Sequence, residues 1–418
     1  MIKVINIINH PPAYDGHRDR ERPKINWDLP NGTWVGIWGY EWHNIIGNKV
    51  LEIADDIEYE VWQPDLRADK IYQHKFENGL LHRLFPAKMT FYTHGIHIRE
   101  DIFSETLMTE LDKEVKKSKE LVLHINAGFR FINIPILNKY YNKISILGQF
   151  YTNSKDIFKI PKTKNVIKLI NTFKKNYELK KYYNKFKYII PSIDEGTDFF
   201  EKKFGIKVFH RNFANFGRDF NDWKKDKSKS EARTKLNIDE NKFVMFSSSR
   251  LIPIKQIDKM LIALSKVNYN NFICYISGRG TEEYEKYLNN IVVEHKLQKK
   301  VKFIGYVDFD VLKDFYQASD LLISTSLQDA GPEPVSIAAA MGLPALITET
   351  GIGFEFYKQY NVGLIVPVDD YNKWTIEIDN VINGKQVQVP SRENVDEFSD
   401  WKIISEYYYN IYKKILKK

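Results

Sequence analysis

The chain has 418 residues, 43% of them hydrophobic and 28% charged, and a formal charge of +8 from 62 basic and 54 acidic side chains. That length exceeds what one hydrophobic core usually fills, so two domains are expected, and the ordinary globular composition excludes wholesale disorder. No apolar run reaches the roughly 18 residues of a spanning helix, and the single cysteine, Cys274, excludes an internal disulfide and Cys-based zinc sites, pointing to a reducing cytoplasm.

Met1 to Asn9 is too short and too interrupted for a signal peptide and reads as a first buried strand. Gly32 to Gly47 is rich in glycine and aromatics, with Trp34, Trp38, Tyr40 and Trp42. His94 and His97 have no cysteine or acidic partner at a recognised ligand spacing, so no metal site is expected there. Leu121–Asn126 and Ile144–Leu147 read as strands, with Phe131–Tyr141 helical between them. Pro161–Tyr188 holds nine lysines and one glutamate, interleaved with Ile167, Leu169, Ile170, Phe173, Tyr177, Leu179, Tyr182, Tyr183 and Phe186. It reads either as a basic amphipathic helix lying on an anionic membrane or as a helix packed on the sheet with solvated lysines. No motif supports nucleic-acid binding.

No repeat or Gly/Ser-rich linker divides the chain, and a short junction is expected near Asn215–Glu231. Beyond it the pattern is regular. Strand-like Phe243–Ser248, Phe272–Ser277, Val301–Ile304, Asp320–Ser324 and Pro344–Thr348 alternate with helical Lys255–Val267, Glu282–Leu297, Val311–Ala318 and Ser336–Met341. Such alternation predicts an α/β class with βαβ crossovers, a parallel sheet covered by helices on both faces, and ligands at the carboxyl ends of the strands. Trp401–Lys418 reads as a final amphipathic helix with Tyr407, Tyr408, Tyr412 and a Lys-rich end.

Four segments follow strands in this second half. Arg250 and Lys255, in Ser249–Asp258, open a helix. An arginine fork beside an ammonium suits a diphosphate, and two solvated surface cations is the plainer reading. Gly278 and Gly280 allow a ligand close to the backbone, or simply form a turn. Gly305, Tyr306 and Val307 end a strand in a glycine turn whose backbone can meet a nucleobase edge, a plain strand-to-loop turn being the simpler reading. In Ser324–Pro344 a polar strand end with Asp329, Ala330, Gly331 and Glu333 feeds a small-residue helix whose start suits an anion.

Taken in this order, the segments resemble the C-terminal domain of GT-B glycosyltransferases of family 4, retaining enzymes that use nucleotide sugars. The resemblance runs from about Val244 to Asp369 and ends in Gly363-Leu-Ile-Val-Pro367-Val-Asp369. It implies two Rossmann-like domains facing a cleft, residues 1–216 on the acceptor side and 217–396 binding the donor, with 397–418 crossing back onto the first. Gly217-Arg218-Asp219 looks like the family's junction turn. The resemblance assigns the diphosphate to Arg250 and Lys255, the donor sugar to Asp329, and further donor contacts to Gly278, Gly280, Tyr306, Val307, Ala330, Gly331 and Glu333. On the acceptor side it points to Gly36, Trp38, Gly39, His124 and Gln149; for His124 a hydrogen-bonded core histidine is the competing reading.

The family's paired glutamates are Asp329 and Ile337 here, with seven residues between them. Ile337 cannot bind ribose hydroxyls, and Glu333 is the candidate substitute. The implied activity is transfer of a hexosyl or N-acetylhexosaminyl group from a nucleotide sugar, UDP-linked in preference to GDP-linked, to a surface glycan or lipid-linked glycan. No cofactor or metal is expected, and the place of action is cytoplasmic or peripheral on the inner membrane face. A nucleotide-sugar epimerase of the same fold and a degenerate partner subunit are the alternatives.

Overall fold

The alternating pattern folds as two parallel sheets, each with helices packed against it. The computed structural model of the protein describes residues 1–8, 42–66, 68–128, 130–150, 160, 163–191, 198–210, 220, 222–329, 331 and 333–417. Met1–Asn212 together with Trp401–Lys418 form one unit and Phe213–Asp400 the other. The chain passes between them at 212/213 and 400/401, beside the expected 216/217 and 396/397.

In chain order the first unit runs β1 (Ile2–Ile7), α1 (Trp42–Ile53), β2 (Ile57–Asp65), β3 (Tyr72–Lys75), β4 (Leu81–Pro86), β5 (Lys88–His94), β6 (His97–Phe103) and α2 (Glu105–Lys117). It continues with β7 (Leu121–Asn126), α3 (Asn133–Tyr140), β8 (Ser145–Phe150), α4 (Val166–Tyr183), β9 (Tyr188–Pro191), α5 (Asp198–Phe204) and β10 (Lys207–Val208). The second unit contains α6 (Lys229–Lys235), β11 (Phe243–Ser248), α7 (Ile257–Ser265), β12 (Phe272–Ser277), α8 (Glu282–Glu294), β13 (Val301–Gly305), α9 (Phe309–Ala318) and β14 (Leu321–Ser324). It ends with α10 (Glu333–Ala340), β15 (Ala345–Thr348), α11 (Gly351–Tyr360), β16 (Leu364–Val366), α12 (Tyr371–Ile382) and α13 (Arg392–Ser399), after which α14 (Trp401–Leu416) belongs to the first unit.

The first sheet has eight strands in the order β10-β9-β8-β7-β1-β2-β4-β3, parallel except for the β3–β4 pair, and β5 and β6 form a separate antiparallel hairpin. The second has six parallel strands, β13-β12-β11-β14-β15-β16. Strand order reverses there between β11 and β14, the switch point at which open sheets bind ligands. Both faces of this sheet are dry. Val244, Phe246, Ile273 and Leu322 join one core, and Met245, Cys274, Ile276 and Leu321 join the other, as the period of two requires. Cys274 is fully buried, and burial pushes its thiol up to about 12, so it is inert.

Two local outcomes differ from the expected pattern. Helix α7 begins at Ile257 rather than Lys255, because Pro253–Lys255 makes a 3-10 turn and Gln256 sits at φ 51, in the left-handed region. In α4 only Leu179, Tyr182 and Tyr183 are buried, so the reading of a helix packed on the sheet holds for its last turns alone.

His124 on β7 and Gln149 on β8 are interior residues, 1% and 0% exposed. The hydroxyl of Tyr412 lies 2.9 Å from His124 Nδ1, and Gln149 Nε2 donates to Tyr408 at 2.8 Å. Both tyrosines lie on α14, so these side chains fasten the final helix to the sheet: a buried polar group must find a partner, and the helix supplies it. His124 thus has the geometry of a hydrogen-bonded core histidine.

Burial pushes the His124 imidazole down to about 4, a Gln149 hydrogen bond offsetting part of that, and burial holds His82 at about 3. Both are neutral in the fold, whereas the unfolded chain takes up protons below about 6.5. Their contribution is therefore full above that value and is lost as pH falls toward 4. Urea unfolding should show stability falling by about 2 kcal/mol for each histidine between pH 7 and pH 5, and His124→Asn should remove its share of that slope.

Candidate functional site

The carboxyl ends of the second sheet are tied into one ledge of loops. Gly278 N donates to Gly305 O at 2.8 Å, and Leu251 N donates to Arg279 O at 2.8 Å. On the other side of the switch point Leu327 N donates to Ile254 O at 2.8 Å, and Thr325 Oγ1 donates to Lys255 O at 3.0 Å. Thr348 Oγ1 then donates to Ser326 O at 2.6 Å. Every loop that follows a strand from β13 to β15 is thus fixed by its neighbour, which is the preorganisation that an electrostatic site needs.

At the switch point Lys255, from the loop after β11, pairs with Asp329, from the loop after β14. Their side chains are 16% and 14% exposed, so the pair is partly withdrawn from water and weakly screened. Asp329 is held from three further directions. Ser326 Oγ donates to its Oδ2 at 3.3 Å, Gly331 N donates to Oδ1 at 3.3 Å, and its own N–H donates to Thr350 Oγ1 at 3.2 Å. An ammonium has three donors, and one of those on Lys255 goes to Asp329. Among the described residues that is the one side-chain hydrogen bond recorded for its ammonium.

Lys255 owes its position to Gln256. That residue caps α7 from a left-handed conformation, and its Nε2 donates to Asp369 Oδ1, itself at φ 66. The Lys255 loop is thereby tied to the end of β16. Neither Gln256 nor Thr325, Ser326, Thr348 and Thr350 was singled out in the sequence beyond a polar strand end. Their contacts depend on loops far apart in the chain, and hydroxyl or amide side chains alone carry no spacing signal.

The remaining candidates are placed as follows. Arg250 is exposed, on the loop after β11 and five residues before Lys255. Gly278 and Gly280 prove necessary for the loops themselves. At φ 138, a Cβ on Gly278 would stand 1.8 Å from Ser249 O, and one on Gly280 would stand 2.2 Å from Leu251 O. Tyr306 is 78% exposed and Val307 half-buried, just past β13. Glu333 is exposed and is the first residue of α10, whereas Ile337, one turn later, is buried in the core. Gly36, Trp38, Gly39, Ala330 and the Gly217-Arg218-Asp219 turn lie outside the described residues. Of the two histidines weighed for metal, His94 Nδ1 lies 2.7 Å from Glu178 Oε2 and His97 is exposed.

Residues 228–399 match the family model described as Glycosyl transferases group 1. An uncharacterized glycosyltransferase of Methanocaldococcus jannaschii is 23% identical over 218 residues, covering 50% of this chain and 54% of the relative. The chain spans about half the length of the curated relatives it matches. Among solved structures, a glycosyltransferase from Rickettsia africae superposes with a TM-score of 0.66 at 16% identity, covering 100% of this chain and 99% of that one. Anabaena HepE, solved with UDP and glucose, superposes with a TM-score of 0.62 at 15% identity, covering 99% and 100%.

The ledge yields one test of its own. Gly278→Ala puts a methyl group against the Ser249 carbonyl and should destabilise the protein by about 3 kcal/mol, read as a lowered Tm. Gly384→Ala, at φ 100 with nothing within 4 Å, meets backbone strain without the clash and should cost visibly less.

Residues 228–399 of the second unit are therefore similar to the glycosyl transferases group 1 model, and the two α/β units have the fold of the GT-B glycosyltransferases.

Proposed function

We propose that the protein is a retaining glycosyltransferase of family 4 that moves a hexosyl or N-acetylhexosaminyl group from a nucleotide diphosphate sugar to a surface glycan or lipid-linked glycan. The observation that carries this reading is the Lys255–Asp329 pair at the β11/β14 switch point, inside the segment that matches the family model. UDP is the nucleotide we favour, because the neighbouring Anabaena HepE holds UDP and glucose. An anionic membrane is the surface at which such an acceptor would be met.

In this scheme the bond between the anomeric carbon and the diphosphate oxygen breaks, and the electron pair leaves with the diphosphate. Lys255 and Arg250 stabilise the growing negative charge as preorganised cations. The acceptor hydroxyl forms the new bond on the face that the diphosphate leaves, and its proton passes to the departing phosphate oxygen. Asp329 holds the ammonium in place before the donor arrives and accepts a hydrogen bond from a sugar hydroxyl once it is bound. Glu333 takes the ribose hydroxyls, since Ile337 has no polar atom and is buried.

Arg250→Ala combined with Lys255→Ala should abolish transfer, by at least about a thousandfold, while leaving Tm within a few degrees. Turnover near wild type would overturn the diphosphate assignment. Thermal-shift screening against UDP, GDP, ADP and CMP should show stabilisation by one of them, and stabilisation by none would favour a degenerate subunit. Incubation of a nucleotide sugar without acceptor separates an epimerase, which alone returns an altered sugar. Glu333→Gln should raise KM for the donor about tenfold with little change in kcat, as loss of a charge-assisted hydrogen bond predicts.

A further inference from the structure

The first two-thirds of α4 has an exposed apolar stripe that the proposed chemistry does not use. Val166, Ile170, Phe173 and Tyr177 fall within about 60° of the helix circumference at 3.6 residues per turn. All four are exposed, Phe173 at 57% and Tyr177 at 61%. The residues that tie α4 to the rest of the unit lie roughly opposite or to the side. Leu179 and Tyr182 are buried there, and Asn171 and Glu178 hold the tip of the β5–β6 hairpin. Asn171 Oδ1 accepts from Ile96 N at 3.0 Å, and Glu178 Oε2 accepts from Gly95 N at 3.1 Å and lies 2.7 Å from His94 Nδ1.

The charge distribution decides what covers this stripe. Glu178 is the one acid among the nine lysines of residues 161–188, and it lies to the side of the stripe, where the hairpin tip engages its carboxylate. Along α4 itself Lys174, Lys180 and Lys181 flank the stripe, and the Lys181 ammonium stands 4.6 Å from the centre of the Tyr177 ring. Large apolar and aromatic groups edged by lysines are what an interfacial helix needs. A second copy of the chain meeting through the same face would set lysines against lysines. No described helix is long and apolar enough to cross a membrane, so contact would be from the side.

The geometry points to α4, braced from behind by the β5–β6 hairpin, as the docking surface of this protein on an anionic lipid bilayer. The stripe enters the headgroup boundary and the flanking lysines pair with lipid phosphates. The proposal rests on the proposed transferase reading only for its purpose, bringing a lipid-linked acceptor within reach; the docking stands on the helix itself.

Co-sedimentation of the full chain with vesicles provides the test. The protein should bind phosphatidylcholine vesicles containing phosphatidylglycerol, fail to bind phosphatidylcholine alone, and release at high salt. Each lysine near such a surface is worth roughly fivefold in affinity. Lys174→Glu with Lys181→Glu, and separately Phe173→Ser with Tyr177→Ser, should each weaken binding at least about tenfold, with Tm and the nucleotide-induced thermal shift unchanged. Equal binding by wild type and both variants would overturn the proposal. So would a wild-type chain that ignores anionic vesicles, or one that forms a dimer dissolved by Phe173→Ser with Tyr177→Ser. Vesicle binding without any nucleotide shift would support the docking while refuting the donor site.

Discussion

A single ion pair at a switch point organises the second unit. Lys255 and Asp329 come from loops more than seventy residues apart in sequence, yet parallel pairing of β11 with β14 brings their loops side by side. Because the pair is partly withdrawn from water, Asp329 is also held by the surrounding loops, through Ser326, Gly331 and Thr350. The same requirement explains why the glycines at Gly278 and Gly280 cannot be replaced cheaply. Backbone must pack against backbone for the ledge to close.

The first unit spends its buried polar groups differently. His124 and Gln149 bond to Tyr412 and Tyr408, and Asn6 Nδ2 donates to Tyr59 at 3.0 Å, so a polar seam runs beneath α14. Tyr409 adds a peripheral bond to Asp56 at 2.6 Å. This seam makes the last helix part of the first unit although the second unit precedes it in the chain. Polar contacts of this kind specify one seating of a helix, where apolar packing alone tolerates small slips.

Much of this architecture was legible. Alternating apolar runs from Phe243 onward predicted the parallel sheet, and the aromatic periodicity of Trp401–Leu416 predicted α14. The order of Arg250, Lys255, Gly278, Gly305 and Asp329 placed the candidate site at strand ends, where the structure has them. Less was legible between 51 and 120, where short strands β2 to β6 are mostly mixed in character and have no single period. The hairpin that braces α4 therefore carried no signal: its role depends on Gly95 and Ile96 meeting Asn171 and Glu178 across long separations.

The sequence by itself determined which segments form strands and helices, which loops hold cations and carboxylates, and that residues 161–188 would be basic and apolar together. These are local matters, set by side-chain period, turn chemistry and composition. Only the tertiary structure decided that His124 and Gln149 face inward to α14, that Asp329 rather than water meets Lys255, and that the apolar stripe of α4 is left outside. Which face of an element is buried is chosen by its partners, and those partners are brought together only when the sheets close.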